Sequence, residues 1–158
     1  MNIVNNNRRL WMMKLSIKEV QRQIKIYANL IRNYKPGNVY QIKEPVFFPC
    51  FIKTLLFQQL DPIMCVSHSI STKSVAKSLY TICSEEELSV LKKMPLFLDD
   101  TPDMDFNDMI KRILPVIMEN QISWLIIKSS ERFVKENEQE LMRLANDFQL
   151  KVLTISIE

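Results

Sequence analysis

Residues 122–127 read Ile-Ser-Trp-Leu-Ile-Ile, a short run without a charged side chain. Similar uncharged runs recur at 63–67 and 152–156, and segments with helical periodicity lie between them. Continuous apolar strands of this length are typical of a parallel sheet that is covered on both faces. The sequence therefore predicts an α/β fold in which right-handed crossovers place helices on both sides of a mostly parallel sheet.

Turn and capping residues predict where these elements begin and end. Ser16 with Glu19, and Ser84 with Glu87, have the spacing of capping boxes. Pro115 lies inside an apolar helical pattern and predicts a kink or an early end of that helix. We expect strands at 39–43, 63–67, 96–98, 123–127 and 151–156, and helices at 16–32, 49–60, 72–82, 85–93, 105–120 and 134–147.

Glycine is nearly absent from this chain. Gly37 is the only one, whereas average usage of about 7% would give roughly eleven. Glycine-rich phosphate loops need several residues that tolerate positive φ and let the backbone approach a phosphate. Composition therefore excludes both the dinucleotide fingerprint and an intact P-loop.

Positive charge is concentrated at the start of the chain. Residues 1–35 contain eight Lys/Arg and one acid, a net charge of +7, and the remainder has a net charge of −4. Such a basic arm predicts an anionic partner, although docking on the acidic body would explain it equally well. The candidate nucleic-acid contacts are Arg8, Arg9, Lys14, Lys18, Arg22 and Lys25.

Several segments, in order, resemble one family. Met94 to Pro102, which reads MPLFLDDTP, and ISWLII at 122–127 resemble the DnaB-type replicative helicase core. That family has a strand ending in Asp-Asp-Thr-Pro, then a helix and the Walker B strand. KPGNVY at 35–40 is similar to the segment that leads into the family's Walker A strand, and LANDF at 144–148 with VLTIS at 152–156 is similar to a later one.

The resemblance implies a RecA-like, three-layer domain over residues 35–158. It implies a linker-type helix at 15–34, of the kind that packs on a neighbouring subunit. The Asn5-Asn6-Asn7 run and the basic residues ahead of this helix predict a basic flexible tail at 1–14. The likeness ends near residue 156, before the family's DNA-binding loop, so DNA translocation is not carried over.

The catalytic positions of that family are altered here. Counted from Gly37, its Gly-Lys-Thr falls on Pro49, Cys50 and Phe51, so the phosphate-binding lysine is missing. Its catalytic glutamate falls on Ser69, and its Walker B aspartate falls on Lys128, which brings positive charge where Mg²⁺ needs a carboxylate. The resemblance thus implies a degenerate ATPase core that is not an enzyme and needs no cofactor.

Lys53 and Thr54 form a Lys-Thr pair three residues beyond that position. A local insertion could bring them to a phosphate, which makes them residual nucleotide-binding candidates. Because no glycine precedes them and Phe51-Ile52 leads in, we instead expect Lys53 to be an exposed helix residue.

Two other groups have candidate chemistry. Cys65 and His68 could suggest a thiol hydrolase, but side chains three apart on a strand face opposite sides. An acidic cluster at 99–108 could bind Mg²⁺, although helix capping explains the same residues. The cluster consists of Asp99, Asp100, Asp103, Asp105 and Asp108. We expect no metal site.

The leading hypothesis is a non-catalytic DnaB-helicase-like domain that acts through protein partners or self-association, in DNA replication or a mobile element. One alternative is a nucleic-acid-binding module that uses the basic arm. Another is residual nucleotide-dependent or Mg²⁺-dependent activity at the aspartate cluster. Charges interrupt every apolar stretch before the ~18 residues of a membrane span, and three cysteines indicate no disulfide framework, so we expect a cytoplasmic protein.

Overall fold

A computed structural model describes residues 17–42, 48–59, 61–68, 71–101 and 104–157. Within these ranges, one or two helices separate each strand from the next. The strands are β1 (Asn38–Ile42), β2 (Ile63–Ser67), β3 (Leu96–Asp99), β4 (Trp124–Ser130) and β5 (Lys151–Ile157). The helices are α1 (Ile17–Ile31), α2 (Phe48–Gln59), α3 (Thr72–Ile82), α4 (Glu85–Leu91), α5 (Phe106–Asn120), α6 (Glu131–Glu136) and α7 (Glu138–Phe148).

The five strands form one sheet in the order β1-β5-β4-β2-β3, and every neighbouring pair is parallel. Trp124 in β4 is in register with Ile63 of β2 and with Lys151 of β5. Because the strands are parallel, all five carboxyl ends meet at one edge. The predicted α/β class with a parallel sheet is confirmed, and this arrangement is consistent with a RecA-like fold.

Two apolar layers cover the two faces of the sheet. Alternate residues of β4 enter different layers: Trp124 and Ile126 pack with α1, α2 and α3, and Leu125 and Ile127 pack with α5 and α7. All four are 0% exposed. Burial on both faces is the reason that β4 is apolar without alternation.

Two helix predictions differ from the structure. Of the two outcomes predicted at Pro115, a kink or an early end, the early end is wrong, because α5 runs through it to Asn120. Pro115 lies on the exposed side of α5. The helix predicted at 134–147 is two helices that start at Glu131, because Ser130 Oγ accepts a bond from Phe133 N and caps α6. The break is at Asn137, whose φ of −118° is not helical.

Helix α1 runs antiparallel to the strands. Tyr27, in the second half of α1, lies edge-on to Phe51, near the start of α2, with ring centroids 5.3 Å apart. The ring centroid of Tyr34, just after α1, is 6.1 Å from that of Trp124, the first residue of β4. The helix therefore begins at the carboxyl edge of the sheet and ends at the amino edge.

Candidate functional site

The carboxyl edge of the sheet is the natural place for a ligand in this fold. The chain leaves β2 toward the layer of α3 and leaves β4 toward the layer of α6, although these two strands are neighbours. Such a reversal opens a crevice outside the strand ends, and α/β proteins bind ligands there. The structure places two of the sequence-predicted positions at this crevice: His68 directly after β2, and Lys128 near the end of β4.

His68 lies in a small polar network. Its main-chain N donates to the Lys128 carbonyl at 2.9 Å, and its Nδ1 is 2.7 Å from Ser129 Oγ. The Phe133 ring packs edge-on to the imidazole, with centroids 4.8 Å apart. A histidine beside a serine hydroxyl can activate a nucleophile, but the Ser129 residue is only 2% exposed. This contact therefore serves structure rather than attack on a substrate.

Ser129 was missed by the sequence reasoning. The signal was the run Lys128-Ser129-Ser130 at the end of an apolar strand. Only the parallel pairing of β2 with β4, which sets Ser67 opposite Lys128, brings His68 to this serine.

Cys65 is unavailable for the chemistry of a thiol hydrolase. It is 1% exposed, and burial raises the pKa of its thiol to about 12, although the Lys128 charge opposes the rise. A thiol with this pKa is almost entirely protonated at neutral pH. Cys65 belongs to the layer of α2 and α3, whereas His68 contacts Phe133 of α6, on the other side of the sheet.

Cys50 and Phe51 are core residues of α2. Both are 0% exposed, and Phe51 packs against Tyr27 of α1. Burial raises the pKa of the Cys50 thiol to about 11. The Pro49 backbone belongs to α2, but its side chain lies outside the described part of the chain, as do residues 43–47 and Ser69.

Lys53 is not the exposed residue that we expected. Its side chain is only 12% exposed and forms an ion pair with Glu87, with Nζ 3.1 Å from Oε2. Nζ also donates to the Ile82 carbonyl at 3.1 Å. Because α3 begins at the carboxyl edge and ends at Ile82, this contact holds the ammonium group away from the carboxyl edge.

Thr54 is equally committed to structure. It is 3% exposed, and its hydroxyl donates to the Cys50 carbonyl one turn earlier at 2.7 Å. The Lys53 side chain therefore points toward the end of α3. The Thr54 hydroxyl is bonded to the main chain of its own helix.

Three aspartates of the cluster, Asp99, Asp100 and Asp105, have structural roles. Burial would raise the pKa of Asp99, but hydrogen bonds from Arg112 and from Thr101 hold it below its usual value. The Arg112 Nε–Asp99 Oδ2 distance is 2.8 Å. Asp100 accepts from Thr72 N at the start of α3, and Asp105 caps α5 by accepting from Asp108 N. Asp103 lies outside the described residues.

No group of three metal-ligating side chains is found among the described residues. In the same ranges, no helix is long and apolar enough to cross a membrane.

The structure describes three of the six basic candidates. Lys18, Arg22 and Lys25 lie on the solvent-facing side of α1, opposite Tyr27 and Ile31. Arg22 donates to the carboxylate of Glu19, with Nε 3.0 Å from Oε2, and this bond lowers the pKa of that carboxyl. Arg8, Arg9 and Lys14 lie outside the described residues.

No family model matches the chain, and no curated protein matches it.

Proposed function

We propose that this chain is a non-catalytic DnaB-helicase-like domain with a RecA-like fold, which acts through protein contacts. The observation that carries the proposal is the environment of the residues aligned with the Walker A motif. Cys50 and Phe51 are fully buried among apolar side chains, and the nearby Lys53 pairs with Glu87. A phosphate site needs a free cation, and the Lys53 ammonium is instead paired with Glu87.

Lys128 supports the same proposal. It aligns with the carboxylate that would bind Mg²⁺, and it places a cation at the carboxyl edge. Each charge-assisted hydrogen bond lost from a nucleotide site is worth roughly 1.5–3 kcal/mol. Losing three of them would weaken a micromolar site to millimolar or worse.

Nucleotide binding is tested by thermal unfolding with ATP and Mg²⁺. We expect no shift in the midpoint, whereas ligand at 100 times its dissociation constant would add about 2.7 kcal/mol. A clear shift, abolished by Lys53→Met and retained by Lys77→Met, would overturn the proposal and assign the site to Lys53. Lys77 is a matched exposed lysine on α3.

The solvent-facing side of α1 supplies the contact surface in this proposal. Ile26 is 47% exposed and Leu30 is 38% exposed, one turn apart on the helix. The family resemblance places a subunit-binding helix at this point of the chain. We therefore assign self-association, or binding to a DnaB-type helicase, to this side of α1.

Light scattering and co-elution with a DnaB-type helicase test the contact. We expect wild type to self-associate or to co-elute, and the paired change Ile26→Asp with Leu30→Asp to abolish this. Met118→Asp is the matched control, since Met118 is 63% exposed but lies on α5, on the opposite face. A wild-type protein that is strictly monomeric and does not co-elute would contradict the proposal.

Nucleic-acid binding is the second candidate, and the exposed cations of α1 favour it. Lys18, Arg22 and Lys25 occupy one side of the helix over about 10 Å, a spacing that suits successive phosphates. Phosphate contacts make affinity fall steeply with salt. Single-stranded DNA should bind at low salt and be released at moderate salt, and no binding at low salt would remove this candidate.

A further inference from the structure

Strand β3 forms one edge of the sheet, and no strand pairs with its outer side within the described ranges. Its four residues are all half-buried, whereas residues 124–127 of the central strand β4 are fully buried. A groove of ≈ 520 Å³ runs along this edge on the side of α5, and Phe97, Arg112 and Val116 contribute to its lining. The open side of an edge strand can accept another strand by main-chain hydrogen bonds.

The main-chain groups on the outer side of β3 are those of Leu96 and Leu98. The Pro95 carbonyl accepts from Ile63 N of β2 at 2.9 Å, and successive residues of a strand bond alternately to its two sides. Because Pro95 faces β2, its missing N–H does not interrupt the outer side. Leu96 N donates to a carbonyl two residues earlier, so the Leu96 carbonyl and both main-chain groups of Leu98 remain for an incoming strand.

Opposite charges lie at the two ends of this strand. Lys92 and Lys93 are exposed at its amino end, and neither belongs to an ion pair of the described residues. Asp99 and Asp100 lie at its carboxyl end, and Arg112 pairs with only the first of them, so this end keeps a net negative charge. Antiparallel pairing of two copies brings each basic end to an acidic end, whereas parallel pairing sets like charges together.

The other edge strand, β1, does not have this pattern. Its residues, Asn38–Ile42, include no charged side chain. The end of α1 lies beside β1, where Tyr34 stacks on Tyr40 with ring centroids 4.1 Å apart. The charge pattern therefore singles out β3, which is at the opposite edge of the sheet from the end of α1.

One antiparallel register uses the available groups of β3. With Phe97 opposite its counterpart, Leu98 N of each copy donates to the Leu96 carbonyl of the other, and no existing bond is broken. Phe97 packs with the layer of α5, so the two rings meet on that side and fill the groove. Aromatic pairs of this kind stabilise antiparallel strands. In the same register Lys93 lies one residue from Asp100 of the other copy.

We propose that two copies of this chain pair through β3, antiparallel and about a two-fold axis at Phe97, so that their sheets become continuous. The contact uses the same surface of both copies. Because the strand has only four residues, the interface is small and transient, with a dissociation constant on the order of 0.1–1 mM. The proposal rests on β3 and its flanking charges, and it does not depend on the function proposed above.

A disulfide across the axis tests the pairing and its register. In a non-hydrogen-bonded antiparallel pair the Cα atoms are about 4.5 Å apart, which a disulfide can span. Phe97→Cys, oxidised with copper phenanthroline at high protein concentration, should form a cross-linked dimer at least about tenfold faster than Leu98→Cys. Leu98 is the matched control because Leu96, and not its own counterpart, lies opposite it. Both variants carry Cys83→Ser, and the other two thiols are buried.

Sedimentation at protein concentrations from about 10 μM to about 1 mM tests the charges and leaves the strand unchanged. Lys92→Glu with Lys93→Glu should raise the dissociation constant of the dimer about tenfold, because attractive contacts at both ends become repulsive. Lys73→Glu with Lys77→Glu is the matched control, since it makes the same change of charge at exposed lysines of α3. This control should leave the dissociation constant unchanged.

Both experiments use an Ile26→Asp and Leu30→Asp background, so that a dimer found there does not come from α1. The α1 contact is itself measured at low micromolar protein, where the β3 dimer is dissociated. A protein that stays monomeric up to about 1 mM in this background would overturn the β3 proposal and leave the α1 proposal intact. Cross-linking of Phe97→Cys no faster than that of Leu98→Cys, or a dimer insensitive to the change at Lys92 and Lys93, would overturn it as well.

Discussion

Lys53 has its charge neutralised inside the fold rather than presented to a ligand. Its ammonium group bridges the Ile82 carbonyl and Glu87, and thus ties α2 to the junction of α3 and α4. Ser84 and Glu87 also form the predicted capping box, which the structure confirms. One carboxylate therefore serves both a helix cap and a lysine from another helix.

Replacing Lys53 with Met should destabilise the protein by about 1–2 kcal/mol at neutral pH, because Glu87 loses a partly buried partner. Burial raises the pKa of Glu87, but bonds from Ser84 and Lys53 outweigh it, and the pKa is lowered. A carboxyl group whose pKa is lower in the folded state than in the unfolded state stabilises the fold at pH values above its unfolded-state pKa. This stabilisation is lost as the pH falls through its folded-state pKa.

The measurement is urea unfolding at pH 7 and at about pH 3, below the ordinary pKa of Glu, where part of the stabilisation that comes from the lowered pKa of Glu87 is lost. The difference between wild type and Lys53→Met should shrink at the lower pH, and the exposed control Lys77→Met should change neither value. A difference independent of pH would show that Lys53 acts by packing alone.

The three thiols should differ in reactivity. Cys50 is 0% and Cys65 is 1% exposed, with pKa values raised by burial to about 11 and about 12. Cys83 is half-buried at the end of α3. Burial raises its pKa too, although the Lys53 charge opposes the rise.

With a disulfide reagent at about pH 8, Cys83 should react first because attack needs access as well as thiolate. Cys83→Ser should remove the fast phase, and Cys50→Ser should leave it intact. Three thiols reacting at one rate would mean that the protein opens before it reacts.

Two glutamines terminate helices at the amino edge of the sheet. Gln121 after α5 and Gln149 after α7 have φ of 51°, in the left-handed region. Glycine is the usual residue at such an end because it has no Cβ to clash. Each turn leads directly into a strand, β4 or β5, so the strained residue sets where the strand starts.

Gln121→Gly should stabilise the protein by about 0.5–1 kcal/mol, because it relieves strain at positive φ. Lys92→Gly is the matched control at the end of α4, where φ is −60°. That change should destabilise by a similar amount, since glycine only adds freedom to the unfolded chain there. Urea unfolding measures both, and destabilisation by Gln121→Gly would show that the glutamine side chain makes a contact worth more than the strain.

The whole molecule depends on β4, because this strand contributes to both apolar layers. Ile126 faces α2, and Ile127 faces α5. Loss of either layer would expose apolar side chains of β4 to water and weaken the strand that the other layer packs against. The two layers should therefore unfold together in one cooperative transition.

Ile126→Val and Ile127→Val should each cost about 1 kcal/mol and should shift the same single transition. Circular dichroism and Trp124 fluorescence, recorded in a Trp11→Phe background, should give coincident curves. Met118→Ala, at a residue 63% exposed, should leave the midpoint nearly unchanged. Separate transitions by the two probes would show that the layers are independent units.

The sequence alone determined the α/β class and most strand positions. Residues 63–67 form β2 as predicted, because an unbroken apolar run can be buried only between two layers. It also excluded an intact glycine-rich phosphate loop, since glycine supplies conformations that other residues avoid. Local periodicity and composition are sufficient for such conclusions.

Tertiary structure alone decided the partners of individual polar side chains. Lys53 meets Glu87, and His68 meets Ser129, across separations of 34 and 61 residues. The Phe106 and Phe133 rings likewise lie near each other, with centroids 6.3 Å apart, only because α5 and α6 follow different strands to the same face. Contacts of this kind depend on strand order and register, which no local pattern encodes.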